Sequence, residues 1–280
     1  MFKLFSILSL IRTNNLIIAN LAIIVTFYLL NKELNVLYAL CSLIVTCCMA
    51  SGYIINDILD TQTDIINQKK NYIAKGLIST QQAYFLIVFF TFLYIFFSFQ
   101  INFMAQIILY VFVLPIMLLY NFFLKKYALI GNICVAIMLG AVFIFTECVI
   151  AGSAQHMYII SFFAFGINFI REIIKDVYDS KGDELSSMYT LPILLGRRFS
   201  IGFIKFFIIV FGFLFAMHAY YYSVKYYFAI MIILVEIPLC YSLFLLSSSS
   251  SKKTIYNLTK LYKSINVSGL VVIIFMKETF

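Results

Sequence analysis

The chain has 280 residues and a net charge of +8, with 64% hydrophobic and only 11% charged residues. An ordinary soluble domain is about 45–50% apolar and about 25% charged, whereas the mean hydropathy here is +1.02. A water-soluble globule is excluded. The composition is that of an all-α, polytopic membrane protein.

Taken in chain order, residues 2–11 read as a short interfacial helix. Lys3 and Arg12 flank it and no small-residue cleavage site follows, so it is not a removable signal. Uncharged runs then cover 13–31, 34–56, 76–124, 127–146, 148–170, 206–224 and 264–276, and 226–251 contains only Glu236. A membrane helix needs about 20 apolar residues, so the run 76–124 must fold back, at Ser98 to Asn102. Nine spans are predicted: 13–31, 35–58, 80–98, 102–121, 128–150, 156–175, 200–219, 226–246 and 260–276. The last has a short charge-free core and spans only if Lys260 and Lys263 snorkel to the interface.

Basic residues set the orientation, because cytoplasmic loops collect Lys and Arg. With the N-terminus inside, the inner side holds Lys3, Arg12, Lys69, Lys70, Lys75, Lys125, Lys126, Arg171, Lys175, Lys181, Arg197, Arg198, Lys205, Lys252, Lys253, Lys260 and Lys263. The outer side holds only Lys32, Lys225 and Lys277. This asymmetry and anionic membrane lipids account for the net charge without a nucleic-acid partner. The expectation is one integral domain over residues 1–280, multi-pass in the cell (inner) membrane.

The six cysteines lie in membrane segments without a C-x-x-C spacing and read as small buried hydrophobes. His156 and His218 are the only histidines and both fall near the outer side, which excludes a His-rich metal site. The sequons at Asn257 and Asn266 fall at the inner face or in the membrane and carry no meaning there. Ser247 to Ser251 form an inner loop.

All six aspartates of the chain fall in two sets, Asp57, Asp60, Asp64 and Asp176, Asp179, Asp183. Both have the spacing i, i+3, i+7, and each member of the second set lies 119 positions after its counterpart. Such a spacing puts three side chains on one helix face. Asn56 extends the first strip, Glu172 extends the second, and Gly182 is expected to end the helix before Asp183. Two similar helix ends, four spans apart, indicate an internal repeat with a site between its halves. Carboxylates so close repel one another and require compensation. Oxygen-only ligands favour Mg²⁺, which keeps several waters and bridges carboxylates to substrate phosphates. The alternative, solvated helix ends paired with lysines, accounts for one strip more easily than for two matched ones. Arg171, Lys175, Lys181, Arg197 and Arg198 surround the second set, while Lys69, Lys70, Lys75, Lys125 and Lys126 share the face; such cations suit a diphosphate.

At these residues the sequence resembles the UbiA superfamily of intramembrane prenyltransferases. The first motif, N-D-x-x-D-x-x-x-D, runs from Asn56 to Asp64, followed by Asn67 and Gly76. The second runs from Arg171 to Asp183, followed by Thr190-Leu191-Pro192 and Gly196. Between them Tyr120, Lys125 and Gly131-Asn132 match the family's loop after the fourth span. The second motif looks most like the branch of geranylgeranylglyceryl phosphate geranylgeranyltransferases. Two departures stand out: Asn71-Tyr72 replaces an Arg-Pro after the first motif, and Arg12-Thr13 replaces another near the first span.

The resemblance implies a nine-helix bundle with a pseudo-repeat. It also implies Mg²⁺ held by Asn56, Asp57, Asp60, Asp64, Asp176, Asp179 and Asp183, and a prenyl diphosphate contacted by Arg12, Asn15, Lys125, Arg171, Lys175, Lys181 and Arg197. Among the 31 Phe and 20 Tyr, Tyr120 and Tyr178 are the candidates to face an allylic cation. Asp64 and Asp176 are the candidate bases for an acceptor hydroxyl. The acceptor expected by resemblance is geranylgeranylglyceryl phosphate, with an aromatic quinone precursor as the competing acceptor. A cation transporter is the rival from another class, but both aspartate sets sit at one face and only Glu236 lies at mid-depth, where transporter sites lie. A CDP-alcohol phosphotransferase would need D-G-x-x-A-R, which is absent. Glu147 is expected at the interface.

Overall fold

A computed structural model describes residues 2–66, 71–222 and 225–279, and its regular structure is helical. Asn67, Lys69 and Lys70, placed beside the first motif by the sequence, lie outside the described residues. A bilayer offers the backbone no hydrogen-bonding partner, so long apolar stretches close their own bonds as helices. Helix α1 (Phe2–Leu10) meets α2 (Thr13–Leu29) at a bend of 59°. Arg12 sits in the joint with φ 53, a left-handed conformation that costs a non-glycine residue free energy.

Asn35 caps α3 (Val36–Leu59), which ends at Asp60 and is followed by the short α4 (Thr61–Ile66). A capping box between Ser79 and Gln82 opens α5 (Thr80–Ser98). The chain turns at the expected place, where Asn102 caps α6 (Phe103–Phe122). There follow α7 (Ile130–Ala151), α8 (Tyr158–Leu185), the single turn α9 (Leu191–Leu194), α10 (Gly196–Tyr221), α11 (Tyr226–Leu245) and α12 (Lys252–Ile274).

Among the described residues, seven helices are long and apolar enough to cross a membrane, and eight if the bent pair α1–α2 counts as one span. The expected nine is thus reduced. The helix that drops out is α8, long enough at 28 residues but charged along its second half from Arg171 to Glu184. The twelfth helix, by contrast, is stronger than expected. It starts at Lys252, well before the predicted 260, so it does not depend on snorkelling: Lys260 lies over the Tyr256 ring at 4.4 Å, and Lys263 turns inward. Gly182 does not end α8 either. The helix runs on to Leu185 and is terminated at Ser187, whose φ is 53, with Met188 N–H donating to Asp183 O at 2.9 Å.

Helix α8 is the centre of the bundle, packed by α7, α10 and α12, while α2 bridges α3, α7 and α12. Small residues let backbones approach in a bilayer, and Gly140 is the tightest case against a neighbouring backbone. A Cβ there would stand 2.6 Å from the Ser161 carbonyl oxygen across the α7–α8 contact. Outward faces are apolar: Phe85, Phe92 and Phe96 of α5 are exposed, as a lipid solvent permits and water does not. Glu147 is buried, with its two oxygens accepting the N–H groups of Gln155, His156 and Met157 in the loop after α7 at 2.9 to 3.0 Å.

Two π turns carry the repeat further than the aspartates do. Ile108–Val113 in α6 precedes Pro115, and Ile232–Glu236 in α11 precedes Pro238. Proline lacks an N–H and clashes with the carbonyl four residues back; one extra residue per turn removes the clash.

The glycine contacts separate by substitution. Gly140→Ala should destabilise the protein by about 1–3 kcal/mol, as over-packing does. Gly202→Ala, with nothing within 4 Å of its Cβ, should leave the thermal midpoint in detergent unchanged or slightly higher.

Candidate active site

The two aspartate strips meet. Helix α4, the end of the first motif, packs on α8, which carries the second. The first strip is not continuous, however. Asp57 is on α3, Asp60 stands at the helix break and Asp64 is on α4, while Thr61 Oγ1 donates back to the carbonyls of Asp57 and Ile58. The second strip stays on one helix through Asp183.

Each strip carries its own compensation. Arg12 Nη2 donates to Asp57 Oδ1 at 2.7 Å and to Asn56 Oδ1 at 3.1 Å, with its guanidinium 4.7 Å from the Tyr53 ring centre. These contacts hold the left-handed backbone at that residue. Lys125, on the turn Leu124–Lys126, makes an ion pair with Asp60. Asn71 Nδ2 donates to Asp64 Oδ2 at 2.9 Å and to Asp57 O at 2.7 Å. On the other strip, Asn132 Nδ2 donates to Asp176 Oδ2 at 2.8 Å, and Thr190 Oγ1 to Asp183 Oδ2 at 3.4 Å. Asp179 is buried. Glu172 accepts from both Arg171 Nη1 at 2.9 Å and Lys175 Nζ at 2.6 Å. A bridge from Tyr189 N–H to Lys126 O, 2.8 Å long, ties the loop of Lys125 to the loop after α8.

A cavity of about 560 Å³ opens beside the strips. Its polar end is lined by Arg12, Asn15, Asn56, Tyr120, Arg171, Glu172, Lys175 and Lys263. Its far end is lined by Phe143, Phe145, Phe163, Phe215, Tyr227 and Met231. Such a space suits an amphiphile with an anionic head and an apolar tail. The aspartates themselves do not line it; the lining stops at Asn56 and Glu172.

Several expected residues stand elsewhere. Lys181 is exposed and outside the lining. Arg197 donates to the Ser250 carbonyl, fastening α10 to the serine loop. Tyr178 packs on Tyr256 with Lys252 over its ring at 4.9 Å, away from the cavity. Glu236 also misses the cavity. Its Oε2 lies 3.0 Å from where a Cβ of Gly212 would be, and its buried Oε1 has no hydrogen bond among the described residues. Sequence reasoning missed several polar groups of the cavity, among them Lys263, Asn168 and Asn266. Uncharged amides inside apolar spans were the available signal.

Residues 16–263 match the UbiA prenyltransferase family. The chain belongs to that family. Among its relatives, a digeranylgeranylglyceryl phosphate synthase from Methanosphaera stadtmanae is 30% identical over 91% of this chain and 93% of its own length. One of the same designation from Methanobrevibacter smithii is 32% identical over 68% and 69%. A solved structure concerned with digeranylgeranylglyceryl phosphate synthase in membranes superposes with a TM-score of 0.74 at 28% identity, covering both chains completely. A UbiA homologue from Archaeoglobus fulgidus, bound to GPP and Mg²⁺, shares the fold with a TM-score of 0.69 at 18% identity over 96% of this chain and 99% of that one. This protein is therefore a multi-pass membrane prenyltransferase of the UbiA family.

Within the family frame, metal fit depends on donor chemistry. Among the described residues, no three acidic, His or Cys side chains converge on one point, so the expected seven-residue ligand set is not closed around an ion. Mg²⁺ does not need closure, because one or two carboxylates, waters and substrate phosphates complete its shell. The oxygen-only strips fit that requirement.

Asn71 stands where the family often has arginine, and it holds the first strip together. Its Oδ1 also accepts the N–H groups of Ile73 and Ala74, both at 3.0 Å. Asn71→Ala should lower stability by about 1–3 kcal/mol, the cost of leaving buried polar groups without partners, and should reduce turnover. A thermal melt and an activity assay on the same preparation check this.

Proposed function

We propose that this chain transfers a geranylgeranyl-type group from its diphosphate to the hydroxyl of geranylgeranylglyceryl phosphate, acting as one catalytic unit over residues 1–280. The observation that carries the proposal is the cavity, cationic at the aspartate end and apolar beyond it. The names of the relatives support the choice of acceptor.

In this proposal Asn56, Asp57, Asp60, Asp64, Asp176, Asp179 and Asp183 provide the oxygens for Mg²⁺, which when bound offsets the charge of the leaving diphosphate. Arg12, Lys125, Arg171 and Lys175 supply donors to the same head group. Arg12 and Lys125 are held in place by Asp57 and Asp60 until substrate arrives. The allylic C–O bond breaks, the electron pair leaves with diphosphate, and the C1 cation faces Tyr120 at the cavity's polar end. An aromatic face stabilises a cation by about 0.5–2 kcal/mol. The acceptor hydroxyl forms the ether bond, and its proton passes to a carboxylate. Of the two candidate bases, Asp64 accepts from Asn71 and Asp176 from Asn132, and Asp176 is one helical turn from Glu172, which lines the cavity. The face bearing the motifs is the cytoplasmic face of the cell membrane, supported by the distribution of Lys and Arg.

Three measurements test this. Turnover of geranylgeranyl diphosphate should vanish in EDTA and return with Mg²⁺ or Mn²⁺; full activity without metal overturns the role of the strips. Product mass decides the acceptor, since a prenylated aromatic compound without ether lipid would transfer the assignment to the quinone-precursor acceptor. For topology, single cysteines at Lys75 and Lys181 should react with an impermeant reagent from the cytoplasmic side and one at Gln155 from the other side. Opposite labelling of Lys75 and Lys181 overturns the shared site.

A further inference from the structure

Four cations line the cavity, Arg12, Arg171, Lys175 and Lys263. Arg12 is matched by Asp57, and Arg171 and Lys175 share Glu172. Lys263 has no carboxylate partner among the described residues. Its Nζ donates instead to Asn15 Oδ1 at 2.8 Å, joining α12 to α2. An ammonium group carries three donors, so two remain for a ligand. Placing such a charge within an apolar bundle is costly and marks function by default.

Three amides and a phenol surround Lys263. Asn15 Nδ2 donates to the Tyr53 hydroxyl at 3.3 Å, and that ring lies beneath Arg12. One helical turn along α12, Asn266 pairs reciprocally with Asn168 of α8 at 2.9 and 3.3 Å. Both amides line the cavity. Lysine is a compact point charge, suited to a phosphate monoester, whereas the planar arginines and the metal strips suit the larger diphosphate.

We propose that Lys263, steered by Asn15 and flanked by the Asn168–Asn266 pair, seats the phosphate monoester of the lipid acceptor. This rests on the proposed ether-forming reaction and assigns the acceptor's head group to the α2–α12 side of the cavity. The donor diphosphate occupies the motif side. Two anions then enter one cavity without sharing a cation.

The test compares Lys263→Met and Lys263→Arg with the wild type in phosphatidylcholine vesicles. KM is measured separately for geranylgeranyl diphosphate and for geranylgeranylglyceryl phosphate, with geranylgeranylglycerol as the phosphate-free acceptor. Lys263→Met should raise the phosphorylated acceptor's KM at least tenfold, keep the donor's KM within twofold, and erase the preference for the phosphorylated acceptor. Lys263→Arg should restore part of that preference. An unchanged acceptor KM, or a rise in the donor's KM instead, overturns the seat while leaving the reaction in place. No ether product from wild type with either acceptor overturns the reaction and the seat together. Should Lys263→Met fail to fold, Lys263→Gln keeps a donor for Asn15 and is judged by the same ratio.

Discussion

Six carboxylates at the end of an apolar bundle must be compensated from outside their own helices, and the rest of the molecule is arranged around that requirement. The compensating groups come from separate places: Arg12 from the α1–α2 joint, Lys125 from the turn after α6, Asn71 from the segment after α4, Asn132 from α7 and Thr190 from the segment after α8. Each contact therefore fixes one connecting segment as well as one charge. A buried carboxylate that loses its partner is far more costly than a surface one, so these segments are tied to the strips by more than their own packing.

Much of this was visible in the sequence. The fold class followed from composition, the fold-back at Ser98–Asn102 from the length of one apolar run, and the meeting of the two strips from the 119-position repeat. The span count failed at α8, because a functional helix carries charges along the half that a hydropathy rule needs to be apolar. The start of α12 failed for the opposite reason: Lys252 to Lys260 look like a loop until Ser251 caps them and Ile255 and Leu258 find buried positions.

Within the site, spacing identified the aspartates but not their partners. Arg12 was legible as a basic residue near the motifs, yet its bond to Asp57 depends on a left-handed backbone that no pattern reveals. Lys181 and Arg197 were grouped with the site by proximity in sequence, whereas Arg197 turns to Ser250. Lys263 was read as an interfacial anchor because lysine in a weak span usually is one. Its inward turn follows from the partner that Asn15 offers across the α2–α12 contact, a tertiary fact.

The two π turns have a consequence for how such a chain varies. Each residue in an α-helix advances about 100° around the axis, so the extra residue in Ile108–Val113 rotates everything after it relative to everything before. Tyr120 faces the cavity only in that rotated register. Losing a single residue there would leave hydropathy and both aspartate motifs intact while turning the tyrosine away from the cavity. Single-residue deletions in α6 therefore barely alter composition yet re-aim Tyr120, and in α11 the π turn Ile232–Glu236 likewise sets which face meets Gly212.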